Sequence, residues 1–170
     1  MATPHLNGIA ALLKTSHRDW SPAAIKSAIV TTSTTVNSRG DPLTDANGGT
    51  TAGYFATGAG QVDPPRTDDP GLIYDLKAND YITYMCSIRY TDVQVTAVSR
   101  RAVKRADFPR SLPAGLNYPT FSLSLGAGGQ IAVSRSVTNV GCASSIYLAE
   151  VNAPPGVSVT VSPPCSPSPR

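Results

Sequence analysis

The chain has 170 residues, enough for one medium domain or two small ones, with 41% hydrophobic and 15% charged residues and a formal net charge of +3. That balance permits a core. No apolar run approaches the roughly 18 residues of a membrane-spanning helix, no basic-then-apolar leader opens the sequence, and Cys86, Cys142 and Cys165 form no C-x-x-C pair with histidines at zinc spacing, so neither a membrane span nor a zinc site is expected.

The first predicted element lies in "PHLNGIAALLKTS", where Leu6, Ile9, Ala10 and Leu13 make the i, i+3, i+4, i+7 stripe of an amphipathic helix. Gly8 and Ala11 keep that helix slim enough for a close neighbour. "DWSPAAIKSAIVTTS" predicts a second helix with an explicit start: Ser21 as N-cap and Pro22 at the first helical position, where a missing N–H costs nothing. Its expected buried face is Ala24, Ile25, Ala28 and Ile29, with Trp20 folding back on it as a staple.

From about Asn37 to Leu76 the periodicity stops. "NSRGDPLTDANGG" and "VDPPRTDDPG" are turn-rich, and the glycines of "GYFATGAGQVD" predict a close approach to another backbone. "NDYITYMCSI" then predicts a short helix capped by Asn79, and "TDVQVTAV" another capped by Thr91. The basic cluster "SRRAVKR", with Arg110 beyond it, reads as a solvated loop or helix face; no aromatic-rich or known nucleic-acid module surrounds it.

Past this cluster the composition turns to β-branched and aromatic residues. "TFSLSL", "IAVSRSVTNV", "IYLAEVNA" and "VSVTVS" alternate, and "GAGG", "GCASS" and "APPG" separate them, as in antiparallel strands of a sandwich. Only about four strands are present where such a sandwich has about seven. Val133, Val137, Tyr147 and Val151 are the expected inward-facing residues. "SPPCSPSPR" predicts a disordered tail.

Several of these stretches together resemble one family. "MATPHLNGIAALLK" resembles the segment of subtilisin-like serine proteases that follows the nucleophile, in the motif Gly-Thr-Ser-Met-Ala-Thr-Pro-His. "HRDWSPAAIKSAIVTTS" resembles that family's next helix, "ATGAGQVDPPRTDDPGLIYDL" its glycine-rich segment, and "LNYPTFSL", "SRSVTNVG" and "APPGVSVTVSP" the fibronectin-III-like domain of plant subtilases. The resemblance runs to about Pro164 and keeps the family's motif order. It implies an α+β architecture: a helical C-terminal remnant of a subtilisin-like α/β catalytic domain (1–76), short helices and a basic linker (77–115), a truncated fibronectin-III-like antiparallel β-sandwich (116–164), and the tail (165–170).

The resemblance also implies a function. The parent activity would be serine-type endopeptidase action on proteins or peptides in the extracellular space, cell wall or apoplast. The Asp, His and Ser of the triad and the oxyanion Asn would lie upstream, so no catalytic, cofactor or metal residue is expected here, and the chain is predicted inactive as given. The alternatives are a non-catalytic binding module and a non-functional gene-model fragment, since both ends look cut. No nucleic-acid or membrane partner is expected; unpaired strand edges invite self-association. Where the family has a cysteine before "LNYPS", this chain has "DFPRSLPAG", which leaves the pairing of its cysteines open.

Individual residues read the same way. His5 takes a structural place in the family pattern, and His17 is expected to be solvated between helices. Ser16, Ser21 and Ser33 fit helix ends, where small hydroxyls cap. Asp68 and Asp69 fit a turn before Pro70, Gly58 to Gly60 are too few for a phosphate loop, and Thr138 to Gly141 fit a strand end. Cys86 fits a helix face as a small apolar residue.

Overall fold

The structure is a computed structural model that describes residues 2–45 and 49–167. Helix α1 spans Ala2–Ser16 and α2 spans Pro22–Thr31. Ser21 caps α2 as expected: its hydroxyl accepts the Ala24 N–H at 3.0 Å, with Pro22 in the first turn. Lys14, in the last turn of α1, donates to the carbonyls of Arg18 and Trp20 at 2.7 Å each and so holds the turn between the helices. Trp20 is buried with Ala24, Ala28 and Ile73, and Ile25 and Val140 pack on that cluster. The alanines leave room for the indole and for the neighbouring strand to come close. For the same reason the buried stripe of α2 is Ala24, Ser27 and Ala28, rotated from the expected one; Ile25 and Ile29 are only half-buried.

Two short helices, α3 (Tyr54–Thr57) and α4 (Pro64–Asp68), lie in the turn-rich stretch. The predicted close approach is at Gly60. Thr34 and Gln61 exchange backbone hydrogen bonds at 2.8 Å, and a Cβ on Gly60 would fall 2.8 Å from the Thr34 carbonyl carbon. Thr67 is fully buried, sharing a hydrogen bond with Thr32 at 3.0 Å, which fastens α4 to the end of α2.

Strand β1 (Leu72–Ile73) follows, then α5 (Ala78–Ser87) and α6 (Asp92–Ser99). Thr91 caps α6 as expected, and Gln94 answers at 2.9 Å, which makes the cap a capping box. Helix α5 begins two residues earlier than expected: its cap is Lys77, whose N–H donates to the Asp80 carboxylate at 2.7 Å, and Asn79 lies inside the first turn. The cause is Asp80, an acid at the third helical position that can reach back, which Asn79 as cap would forgo. Ile82, Val95 and Val103 form a second buried cluster, with Met85, Cys86 and Phe108 packed on it.

The β-rich half departs most from expectation. Strands are β2 (Thr138–Asn139), β3 (Ile146–Leu148) and β4 (Cys165–Pro167), in two separate two-stranded sheets. β2 pairs antiparallel with β1, Leu72 opposite Asn139 and Ile73 opposite Thr138. β3 pairs antiparallel with β4, Leu148 opposite Cys165. The stretches "TFSLSL" and "VSVTVS" enter no ladder. Val133 and Tyr147 are half-buried, but Val137 and Val151 are exposed, at 45% and 43%. An alternating segment becomes a strand only when a partner takes its backbone groups, and these find none within the described residues. The expected disordered tail is also corrected: Cys165–Pro167 is a strand because β3 offers it an edge. Residues 168–170 lie outside the described residues.

Candidate functional site

Two surfaces gather the chemistry-bearing residues. The first is an apolar groove of about 720 Å3 between α1 and α2, lined among others by Leu6, Ala10, Trp20, Ile25, Ile29 and Val30. It exists because both helices carry small residues on the facing side, so the larger side chains flank an open channel. Lys14 and Lys26 stand at its lining; Lys26 lies over the Tyr118 ring, 4.8 Å from its centre. The groove has no nucleophile with an adjacent base. Its chemistry is that of a packing face.

The second is a polar cleft of about 500 Å3 lined by Asp75, Lys77, Asp80, Asn117, Ser134 and Ser136, with Gly115 at its edge. It sits on the seam where β1 meets the β-rich half. Asn117 donates to the carbonyls of Asp75 (3.2 Å) and Ser136 (2.8 Å) and accepts the Ser136 N–H at 2.8 Å, so one side chain stands in for a piece of strand. Val140 N–H donates to the Gly71 carbonyl at 2.9 Å. Tyr147 packs on Gly71, where a Cβ would meet its hydroxyl at 3.2 Å, and donates to the Asn139 side chain at 2.8 Å. Nearby, Arg135 donates to the carbonyls of Tyr118 and Ala114, both at 2.9 Å, and lies over the Phe121 ring. Burial lowers the pKa of its guanidinium from the usual arginine value, with Tyr74 acting the other way; an arginine so held stays charged.

The residues weighed from sequence are dispersed. His17 is half-buried and held by partners rather than free in solvent. Its ring stacks on Trp20 at 3.9 Å, and its Nε2 meets the Asp68 carbonyl at 2.9 Å and carboxylate at 3.0 Å. No local signal could show this, because Asp68 comes from a distant turn. Ser21 donates to the Asp75 carboxylate at 2.5 Å in addition to capping. Ser33 donates to the carbonyls of Val30 and Ala59, Ser16 closes α1, and His5 is exposed on α1. Gly58 caps α3 with φ 57°. Thr138 and Asn139 are the whole of β2 rather than the end of a longer strand, and that strand pairs with β1. Cys86 lies half-buried against the second cluster, and Cys142 is an exposed free thiol. Among the described residues no three His, Cys, Asp or Glu side chains converge on a metal-sized site, and no helix is long and apolar enough to cross a membrane.

Comparison with known proteins places these surfaces. The subtilase family matches residues 1–60, and a fibronectin type-III domain matches residues 115–165. Subtilisin-like protease SBT1.5 of Arabidopsis thaliana is 43% identical over 171 aligned residues, which cover 96% of this chain and 22% of that protein. Subtilisin-like protease SBT1.6 of Arabidopsis thaliana is 40% identical with the same two coverages, and subtilisin-like protease SBT3 of Solanum lycopersicum is 38% identical, again with 96% and 22% covered. The chain thus spans about a fifth of the length of the curated relatives it matches.

Proposed function

The chain belongs to the plant subtilisin-like protease family, and we propose that it serves there as scaffold for a serine endopeptidase whose Asp, His and Ser lie in family sequence outside these 170 residues. The observation that carries this reading is the α1–α2 groove. Two helices rich in small residues present an apolar channel that no described residue fills. Such a face suits the sheet of an α/β domain. The start of α1 fits the same role. Its free amides and positive dipole end lie where the family motif puts the nucleophile, and both favour the oxyanion of acyl transfer.

On this reading residues 1–76 close the catalytic domain, 77–115 link, and 116–164 contribute strands to a fibronectin-III-like sandwich completed by further family sequence. The substrates are proteins or peptides, the parent enzyme acts outside the cell, and the 170-residue chain alone cleaves nothing.

Two measurements test it together. The isolated chain, assayed against a fluorogenic peptide panel, should show no turnover and take up no fluorophosphonate on any serine. A chimera in which residues 1–164 replace the matching stretch of the Arabidopsis relative should be folded, fluorophosphonate-reactive and active. Labelling of a serine in the isolated chain, or a folded chimera that is inert, sinks the reading.

A further inference from the structure

The basic cluster, by sequence a solvated loop or helix face, is an exposed strap whose backbone is pinned to α6. Between residues 89 and 110 stand six cations, Arg89, Arg100, Arg101, Lys104, Arg105 and Arg110, against Asp92 and Asp107. That excess of four exceeds the +3 of the whole chain. After α6 the backbone turns back at Arg100, in the left-handed region at φ 54°, and runs antiparallel along the helix it has just left. Val103 N–H donates to the Thr96 hydroxyl at 3.1 Å, and Arg105 N–H to the Asp92 carboxylate at 3.2 Å. The register is what geometry allows: two extended residues advance about 6.6 Å, and the four helical residues from Thr96 to Asp92 about 6 Å. Val103 plugs into the cluster of Ile82 and Val95 at 6% exposure, and Arg101 is fixed by a hydrogen bond to the Asn79 side chain.

The strap therefore holds its charges on a fixed backbone. All six cations are exposed, and among the described residues the ion pair present, His17 with Asp68, involves none of them. Two nearby acids are engaged with backbone, Asp92 with Arg105 N–H and Asp80 with Lys77 N–H, and Asp107 is exposed and in no ion pair with these cations. Pairing the cations internally would have been easy for a surface that served only solubility.

We infer that this strap is a docking surface for an extended acidic polypeptide segment. Five of the six cations are arginine, whose planar fork matches a carboxylate with two parallel hydrogen bonds. From Arg101 to Arg105 the strap spans about 13 Å, and an extended peptide alongside it places same-face side chains about every 6.6 Å, so one carboxylate can meet the arginine at each end of this span, on either side of the buried Val103. The pinning by Val103, Thr96 and Asp92 means that the strap is not ordered at binding, which keeps the entropic cost low. The surface lies away from the α1–α2 groove, and the inference stands whether or not the parent protein is a protease.

The test is fluorescence anisotropy of a labelled twelve-residue glutamate-rich peptide on the full 170-residue chain at low and physiological salt. Lys104, Arg105 and Arg110 make no side-chain hydrogen bond among those observed, so Lys104→Gln, Arg105→Gln and Arg110→Gln together leave the fold alone. Loss of three exposed charge pairs should weaken binding about tenfold and flatten its salt dependence. Arg39→Gln with Arg66→Gln, which removes exposed charge elsewhere, should leave affinity within about twofold. As a second readout, the peptide should slow tryptic cleavage after Lys104 and Arg105 and not after Arg39. Equal loss in both variants, tighter binding of an oligonucleotide or polyuronate of the same charge, or no protection of the strap would each overturn the assignment.

Discussion

Residues 2–76 and residues 116–164 hold the same kinds of apolar side chain and use them in opposite ways. In the first stretch burial is built on small residues: Ala24 and Ala28 are 1% and 0% exposed beneath Trp20 and Ile73. In the second, Phe121, Leu123 and Leu125, and then Val157, Val159 and Val161, form two alternating rows that are each 40% exposed or more. A helix closes its own backbone hydrogen bonds and needs a neighbour only for one face. A strand needs a neighbour for its backbone as well. Alternating segments that find no partner strands therefore stay out of ladders while the helices form, and among the described residues sheet appears only where an edge is offered, at β1 with β2 and β3 with β4.

The sharpest way to break this contrast is to cut into the first stretch. Trp20→Ala removes the ring that covers α2 and stacks on His17. A cost of about 3–5 kcal/mol is expected for such a truncation, read as a lower urea midpoint by circular dichroism. That is a large share of a domain's total of about 5–15 kcal/mol. If Trp20→Ala unfolds no more readily than Val151→Ala, the two halves are equally soft and the contrast is wrong.

How far the sequence foretold the structure follows the same division. The Ser21 cap, the Thr91 cap and the close approach of the glycine-rich segment were legible because each rests on residues within a few positions or on glycine's freedom at positive φ. The Lys77 start of α5 was missed because a carboxylate reaching back from Asp80 outweighed the more familiar cap Asn79. The His17–Asp68 contact and the Leu72–Asn139 pairing were invisible because both join residues far apart in the chain. The strands expected at 121–125 and 157–161 failed for want of partners, although their alternation was read correctly. No reaction centre was expected among these residues, and the candidate surfaces, a groove and a seam, are products of packing that no short motif spells out.

Glycine offers a second, smaller contrast. Gly60 sits at φ 113° with the Thr34 backbone against it, and Gly128 at φ 70° with nothing within 4 Å. Both carry the strain of a left-handed backbone, but only the first adds a clash with main chain that cannot swing aside. Gly60→Ala should cost about 3 kcal/mol, the upper end for a strained position, and Gly128→Ala about 1 kcal/mol. Thermal melts of the two variants read this directly, and equal shifts would show that the 32–62 loops are as open as the β-rich half.

The seam is where the halves meet, and the Asn117 side chain ties its two sides together. Asn117→Ala removes three hydrogen bonds linking Asp75 to Ser136. Water reaches part of this site, so the expected loss is about 1–2 kcal/mol, below the sum of three buried bonds. Hydrogen exchange is the better probe: the Ser136 and Val140 amides should lose protection and the Ala24–Ala28 amides should not. Faster exchange throughout α2 would mean that the seam and the helices melt as one unit.

The smallest expected effect concerns the exposed rows. Val159→Thr keeps the shape and the β preference of the side chain while adding a hydroxyl. In the 170-residue chain Val159 is 47% exposed and in no ladder, so stability should change by less than about 0.5 kcal/mol, as for an ordinary surface site. Binding of a hydrophobic dye, which the rows and the α1–α2 groove should support, ought to fall slightly. In the chimera with the Arabidopsis relative the same substitution meets a different environment. If further strands cover this row, the hydroxyl is buried without a partner and should cost about 1–3 kcal/mol. The two measurements together separate a row that awaits strands from one that is simply surface. A cost that stays below about 0.5 kcal/mol in both settings would show that residues 157–161 face water in the chimera too, and that no further strand covers this row.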